Sequence, residues 1–153
     1  MVYLLFQLGQ ERYALDAHSV AEVLPMVAVT EISKAPAGVL GAFNYRGVPV
    51  PAIDLCRLTL GRPARAHLST RIVVVHYPGD DGRAHVLGLV AEKATETLRR
   101  EPADFVGSGV TSDQAPYLGP VTTDAHGIIQ LIDAQRLLSP EIRAALFQTA
   151  AAS

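Results

Sequence analysis

Gly41-Ala42-Phe43-Asn44-Tyr45-Arg46-Gly47-Val48-Pro49-Val50-Pro51-Ala52-Ile53-Asp54-Leu55 is the stretch that decides the fold class. It sets an apolar strand, a polar Asn44-Tyr45-Arg46-Gly47 corner and a second apolar strand broken by two prolines. Gly47 is the residue suited to the positive φ of a tight corner. Proline fixes its own φ and removes a ladder donor, so Pro49 and Pro51 mark a strand that bends or lies at an edge. The pattern predicts a bent strand pair in a small β-barrel, with Arg46 as the one full charge at the corner.

Working outward towards the N-terminus, Val2, Leu4, Phe6 and Leu8 share one strand face, and Gly9-Gln10-Glu11 turns the chain into Arg12 to Leu15, a hairpin. Val20 to Pro25 reads as a strand with Val20 and Glu22 on one face and Ala21 and Val23 on the other, ended by Pro25. Val27 to Ile32 is a further β-branched run, and Lys34 to Gly38 a loop. On the other side, Leu55 to Gly61 reads as a short helix capped by Asp54 and stopped by Gly61. Arg62 to Ser69, with Pro63 and few bulky apolar residues, is the best internal boundary, near residue 66.

Arg71 to Tyr77 has a near-continuous apolar centre and predicts a strand covered on both faces. Pro78 to Gly82 turns it into His85 to Val90. Ala91 to Leu98 fits helix or strand, and Thr95 and Thr97 favour strand. Glu101 to Val106 reads as a short helix, and Gly107 to Pro116 as a polar, mobile loop. Tyr117 to Thr122 and Gly127 to Ile132 form a last hairpin, and Asp133 caps the turn after it. Ser139-Pro140-Glu141 starts a C-terminal helix whose stripe is Ile142, Leu146 and Phe147, with Ala150 to Ser153 fraying.

Nine or ten short strands with two or three short helices specify an all-β chain. The pattern alone fits one barrel of eight to ten strands or two five-stranded barrels. Residue 66 divides the strands almost evenly, which favours two: a first barrel over 1–66, a second over 67–138, and a C-terminal helix over 139–149.

With 153 residues, 49% hydrophobic and 18% charged, the composition is that of a folded protein able to bury a core. Net charge is −2 and no basic run occurs, so the footprint of a nucleic-acid binder is missing. One cysteine, Cys56, forms no internal disulfide and points to a reducing compartment. No segment has the apolar length of a membrane span, so direct membrane insertion is not expected.

The usual signatures of catalysis and metal binding are missing, and no cofactor is expected. The five histidines lack ligand spacing, although His76 and His85 are placed to face each other across a hairpin. Asp54 reads as a helix cap before a catalytic carboxylate, and Cys56 as a buried small hydrophobe before a reactive thiol. Glu22 reads as a solvated or partner-facing carboxylate. Arg46 is either an inert corner arginine or one whose planar fork braces the fold or grips a partner.

These motifs resemble the chemotaxis coupling protein family, the CheW-like domains. The resemblance rests on Phe6-x-Leu8-Gly9-x-x-x-Tyr13-Ala14-Leu15, Val20-x-Glu22-Val23, Ala35-Pro36-x-x-Val39-x-Gly41, and Asn44-x-Arg46-Gly47-x-x-x-Pro51-x-Ile53-Asp54-Leu55. It continues through Arg71-Ile72-Val73-Val74-Val75, Tyr117-Leu118-Gly119 and Ile128-Ile129-x-Leu131-Ile132-Asp133. It implies two SH3-like five-stranded barrels with an apolar seam between them, and no catalysis. The implied partners are the cytoplasmic tip of a methyl-accepting chemoreceptor, the regulatory domain of a CheA-type histidine kinase, and other CheW-like domains. The implied location is cytoplasmic, with recruitment to receptor arrays.

Carried over by motif, Val20, Glu22 and Arg46 are the receptor-binding positions, in or near a groove between the barrels, while kinase-facing residues stay unassigned. Tyr45 replaces the common Leu of the corner. Leu24-Pro25, the Phe43 to Gly47 corner and Ala94 to Arg100 are similar to couplers of Wsp-type surface sensing, upstream of cyclic di-GMP synthesis. A small-ligand-binding β-barrel is the alternative reading.

Overall fold

A computed structural model describes residues 1–36, 38–78, 84–109 and 115–146. The turn expected beyond Pro78, the middle of the loop expected over Gly107 to Pro116, Phe147 and the expected fraying tail lie outside the described residues.

Alternating and continuous apolar runs form nine strands among the described residues: β1 (Val2–Leu8), β2 (Glu11–Asp16), β3 (Val20–Pro25), β4 (Val39–Tyr45), β5 (Val48–Asp54), β6 (Arg71–Pro78), β7 (Ala84–Arg99), β8 (Leu118–Asp124) and β9 (Gly127–Ile132). Two short helices accompany them, α1 (Leu55–Leu60) and α2 (Pro140–Leu146). Asp54 caps α1 through its side chain and Gly61 closes it at φ 76°, as the sequence predicts. The expected helix over Glu101 to Val106 is a single 3₁₀ turn, Pro102–Asp104.

Strand pairing gives two five-stranded sheets that share β7. In one, β4 pairs β5, β5 pairs the first half of β7, and β6 and β3 follow; in the other, the second half of β7 is followed by β1, β2, β9 and β8. Ala84 to Ala91 of β7 run antiparallel to β6, and Glu92 to Arg99 run antiparallel to β1. At the change of partner the register slips by a bulge, and Lys93 adopts φ 48°. A bulge breaks the period-two alternation, which is why Ala91 to Leu98 reads ambiguously in sequence.

Each sheet curls round its own core. Phe43, Val50, Ala52, Ile72, Val74 and Val90 fill one, and Tyr3, Ala14 and Ile129 with Leu5, Leu98, Phe105 and Leu131 fill the other. Gly88 belongs to the first filling, since a Cβ there would stand 2.4 Å from Phe43 Cε1. The largest core lies between the sheets and takes Leu4, Phe6 and Leu8 from β1, Val73, Val75 and Tyr77 from β6, and Leu87 and Leu89 from β7. Ile142 and Leu146 of α2 pack against it. This is the fold expected, two small barrels with an apolar seam and a C-terminal helix.

The expected division at residue 66 is not where the pairing divides. β1 and β2 pair with β7 and β9, and β3 pairs with β6, so each sheet draws strands from both sides of that residue. Composition marks a loop there, but register follows buried faces, which no linker composition reports. Val27 to Ile32, expected as a β-branched run, forms one bridge only, Thr30 to Ala42 on the open side of β4. Gly41 permits it, because a Cβ at that position would meet Thr30 O at 2.0 Å. His76 pairs with Val86 and His85 with Tyr77, so the two imidazoles lie on opposite faces and do not meet.

Candidate functional site

The β4–β5 corner is a two-residue hairpin. Arg46 at φ 52° and Gly47 at φ 83° occupy its two central positions, the arrangement whose twist matches that of the flanking strands. Asn44 Oδ1 accepts the Gly47 N–H at 2.8 Å and fixes the turn. Gly47 was legible as a positive-φ residue; Arg46 in the same region was not. For an arginine that backbone costs roughly 1–2 kcal/mol.

The corner points its polar groups at β3. Tyr45 Oη donates to Glu22 Oε2 at 2.8 Å, and Arg46 Nη2 donates to the same oxygen at 3.1 Å. The Arg46 guanidinium also sits 5.3 Å from the centroid of the Tyr45 ring, which stands edge-on to buried Phe43. The carboxylate at its hydroxyl pushes the Tyr45 phenol above its ordinary range. Glu22 and Arg46 are thus brought together, held from below by an aromatic whose hydroxyl sequence reasoning did not connect with either. A Tyr beside the Arg was the signal available.

Val20 does not join them. A bulge between Val20 and Glu22 places Val20 opposite Val75 and Glu22 opposite Val74, residues on opposite faces of β6. Val20 and Val23 therefore pack on the core between the barrels, whereas Glu22 shares its face with Leu24. The expectation that Val20 and Glu22 share a face is corrected by this inserted residue, which strict alternation cannot foresee.

The groups read as structural are structural. Asp54 is 3% exposed and accepts from the backbone N–H of Cys56 at 2.9 Å, Arg57 at 3.3 Å and Ala64 at 3.0 Å. Cys56 is buried, and burial with the nearby Glu92 and Asp54 charges pushes its thiol up to about 12. A neutral, inaccessible thiol is a poor nucleophile. Among the described residues no three His, Cys, Asp or Glu side chains cluster to hold a metal ion, and no helix is long and apolar enough to cross a membrane.

Glu92 is the carboxylate the sequence reading passed over; an acid inside the apolar run ending at Ala94 was its signal. It is 6% exposed at the change of partner in β7. Its Oε1 accepts the Gly9 N–H at 2.9 Å, and its Oε2 accepts the Arg65 N–H at 2.6 Å. The Arg62 guanidinium donates to both oxygens, at 3.4 and 3.5 Å. Burial alone would raise this carboxyl, but those donors outweigh it and hold it at about 2.

Comparison with known proteins follows the same outline. A family model described as CheW-like domain matches residues 2–141. The chemotaxis protein CheW of Klebsiella aerogenes is 32% identical over 146 residues, 91% of this chain and 82% of that protein. The chemotaxis protein CheW of Treponema pallidum is 44% identical over 138 residues, 88% of this chain and 79% of that protein. The crystal structure of the scaffolding protein TtCheW from Thermoanaerobacter tengcongensis has the same fold, with TM-score 0.80 over 92% of this chain and 89% of that chain at 23% identity.

Proposed function

We propose, from the premise that this chain belongs to the CheW-like domain family, that it is a non-catalytic adaptor which couples a methyl-accepting chemoreceptor to a CheA-type histidine kinase. It works in the cytoplasm as a single domain, recruited to receptor arrays, with other CheW-like domains as further neighbours.

The observation that carries the site is the Glu22–Arg46 pair. Its members are 36% and 74% exposed, and an ion pair so placed contributes less than about 1 kcal/mol to the fold. That is too little to offset the strained backbone of Arg46, so stability is a poor reason for the arrangement, and presentation of charge to a partner is a better one. Both donors address one oxygen of Glu22, which leaves the rest of the guanidinium directed to solvent. Such rim charges set the register of a helical partner whose affinity comes from apolar burial. Val20, behind the strand, supports the surface without belonging to it.

Filled interiors speak against the small-ligand barrel, since Phe43, Val50 and Ile72 in one barrel and Tyr3 and Ile129 in the other occupy the space a ligand would need. For pathway, the corner sequence favours surface sensing of the Wsp type over flagellar control, and phosphotransfer from the kinase to a diguanylate cyclase regulator tests that choice.

Co-sedimentation with receptor-bearing membranes and kinase tests the adaptor. Arg46→Ala is expected to keep its fold and lower receptor recruitment about tenfold or more. Glu22→Lys is expected to weaken receptor binding and leave kinase binding intact. Wild-type recruitment by Arg46→Ala, or equal loss of both partners in Glu22→Lys, overturns the assignment.

A further inference from the structure

The carboxylate of Glu92 ties the segment between α1 and β6, which no strand ladder holds, to the β1–β2 turn and to β7, which the β1–β7 ladder already joins through Gln7 and Glu92. The Gly9 N–H at Oε1 belongs to the β1–β2 turn, and the Arg65 N–H at Oε2 belongs to the segment between α1 and β6. The carboxylate itself stands on β7, where that strand passes from one barrel to the other. The segment makes two further ties to the same region: Arg62 reaches both Glu92 oxygens, and the Ala94 N–H donates to Ser69 O at 3.1 Å. Between these ties Arg65, Ala66, His67 and Leu68 face solvent, and Leu68 is 100% exposed. No apolar side chain of those four is buried; the stretch runs between Ala64, which packs on the core and donates its N–H to Asp54 Oδ2 at 3.0 Å, and buried Thr70, whose hydroxyl donates to Arg65 O.

We propose that Glu92 is a positioning residue, a lock at the crossing between the barrels that fixes residues 61–70 and the β1–β2 turn in one arrangement, so that Arg65 to Leu68 are presented in a constant shape. The chemistry requires a carboxylate. Two backbone donors and a guanidinium converge on it, and an amide in its place offers one acceptor oxygen while turning its NH₂ donors against an N–H on the other side. One of the two segments is then released.

The test is backbone ¹⁵N relaxation on the full chain, which reads fast local motion independently of global stability. In Glu92→Gln the order parameter of Gly9 or Arg65 is expected to fall from the rigid level of about 0.85 to below about 0.6, while Val73 and Leu89 stay rigid. Trypsin is then expected to cut first after Arg65, at least tenfold faster than in wild type. Rigid Gly9 and Arg65 in a folded Glu92→Gln protein overturn the proposal, as does a loss of order spread evenly over the chain. Should Glu92→Gln not fold, Glu92→Asp keeps the charge on an arm one methylene shorter. It is expected to release one of the two segments, and two rigid segments there overturn the proposal equally.

Discussion

Glu22 and Glu92 are both carboxylates accepting from an arginine, and their surroundings give them different work. Glu22 is partly exposed, so screening by water leaves its pair with Arg46 nearly without weight in folding. Glu92 is buried and surrounded by donors, so its ionisation is linked to folding. Its folded value of about 2 lies below the ordinary 4.5, so its stabilisation is complete above about pH 5 and is lost as the pH falls towards 2. The contribution is about 3 kcal/mol. Urea denaturation of wild type and Glu92→Gln is therefore expected to differ by about that amount at pH 7, with the gap closing between pH 5 and pH 2. A constant gap over that range contradicts the linkage.

At the scale of elements, β7 is the strand on which the molecule turns. Its bulge puts Lys93, a residue with a Cβ, at φ 48°. Glycine adopts that conformation without the Cβ penalty and a β-branched residue adopts it badly. Lys93→Gly is expected to be neutral or stabilising by up to about 1 kcal/mol, and Lys93→Val to destabilise by more than about 1 kcal/mol. Chemical denaturation of the two variants checks the order, and equal effects would mean that the bulge relaxes.

The same strand shows where sequence reasoning stops. Strands with clean alternation, such as Val2–Leu8 against Glu11–Asp16, and ends marked by Asp54, Gly61 or Pro140 were legible because the signal is local. The bulges at Lys93 and between Val20 and Glu22 were not, since they insert two residues and one residue respectively, and the only cause of each is a partner strand far away in sequence. At the candidate site the same limit applies. Glu22 and Arg46 were legible as positions, whereas Tyr45 bonding to Glu22 and Val20 turning inward needed the pairing of β3 with β6.

At the scale of the whole molecule, the two barrels are not separable units. Among the described residues, β1 and β2 depend on β7 and β9 for ladder partners, β3 depends on β6, and the β4–β5 hairpin joins its sheet only through β7. Cut at residue 66, each piece loses strands from both sheets and exposes the core that lies between them. Fragments 1–66 and 67–153 are each expected to lack near-ultraviolet circular dichroism and a cooperative thermal transition, and to regain both on mixing only if they reassemble. A fragment that melts cooperatively by itself would show that one barrel carries a sufficient core.

Burial of Cys56 has a practical consequence. With its thiol shielded in the core and pushed up to about 12, the native chain is expected to stay silent towards maleimides and methanethiosulfonates at neutral pH. A cysteine introduced at any exposed position becomes the only labelling site. Spin or fluorescent probes on the corner, on residues 61–70 or on the outer barrel can thus report distances in an otherwise unaltered protein, without first removing a residue from its centre.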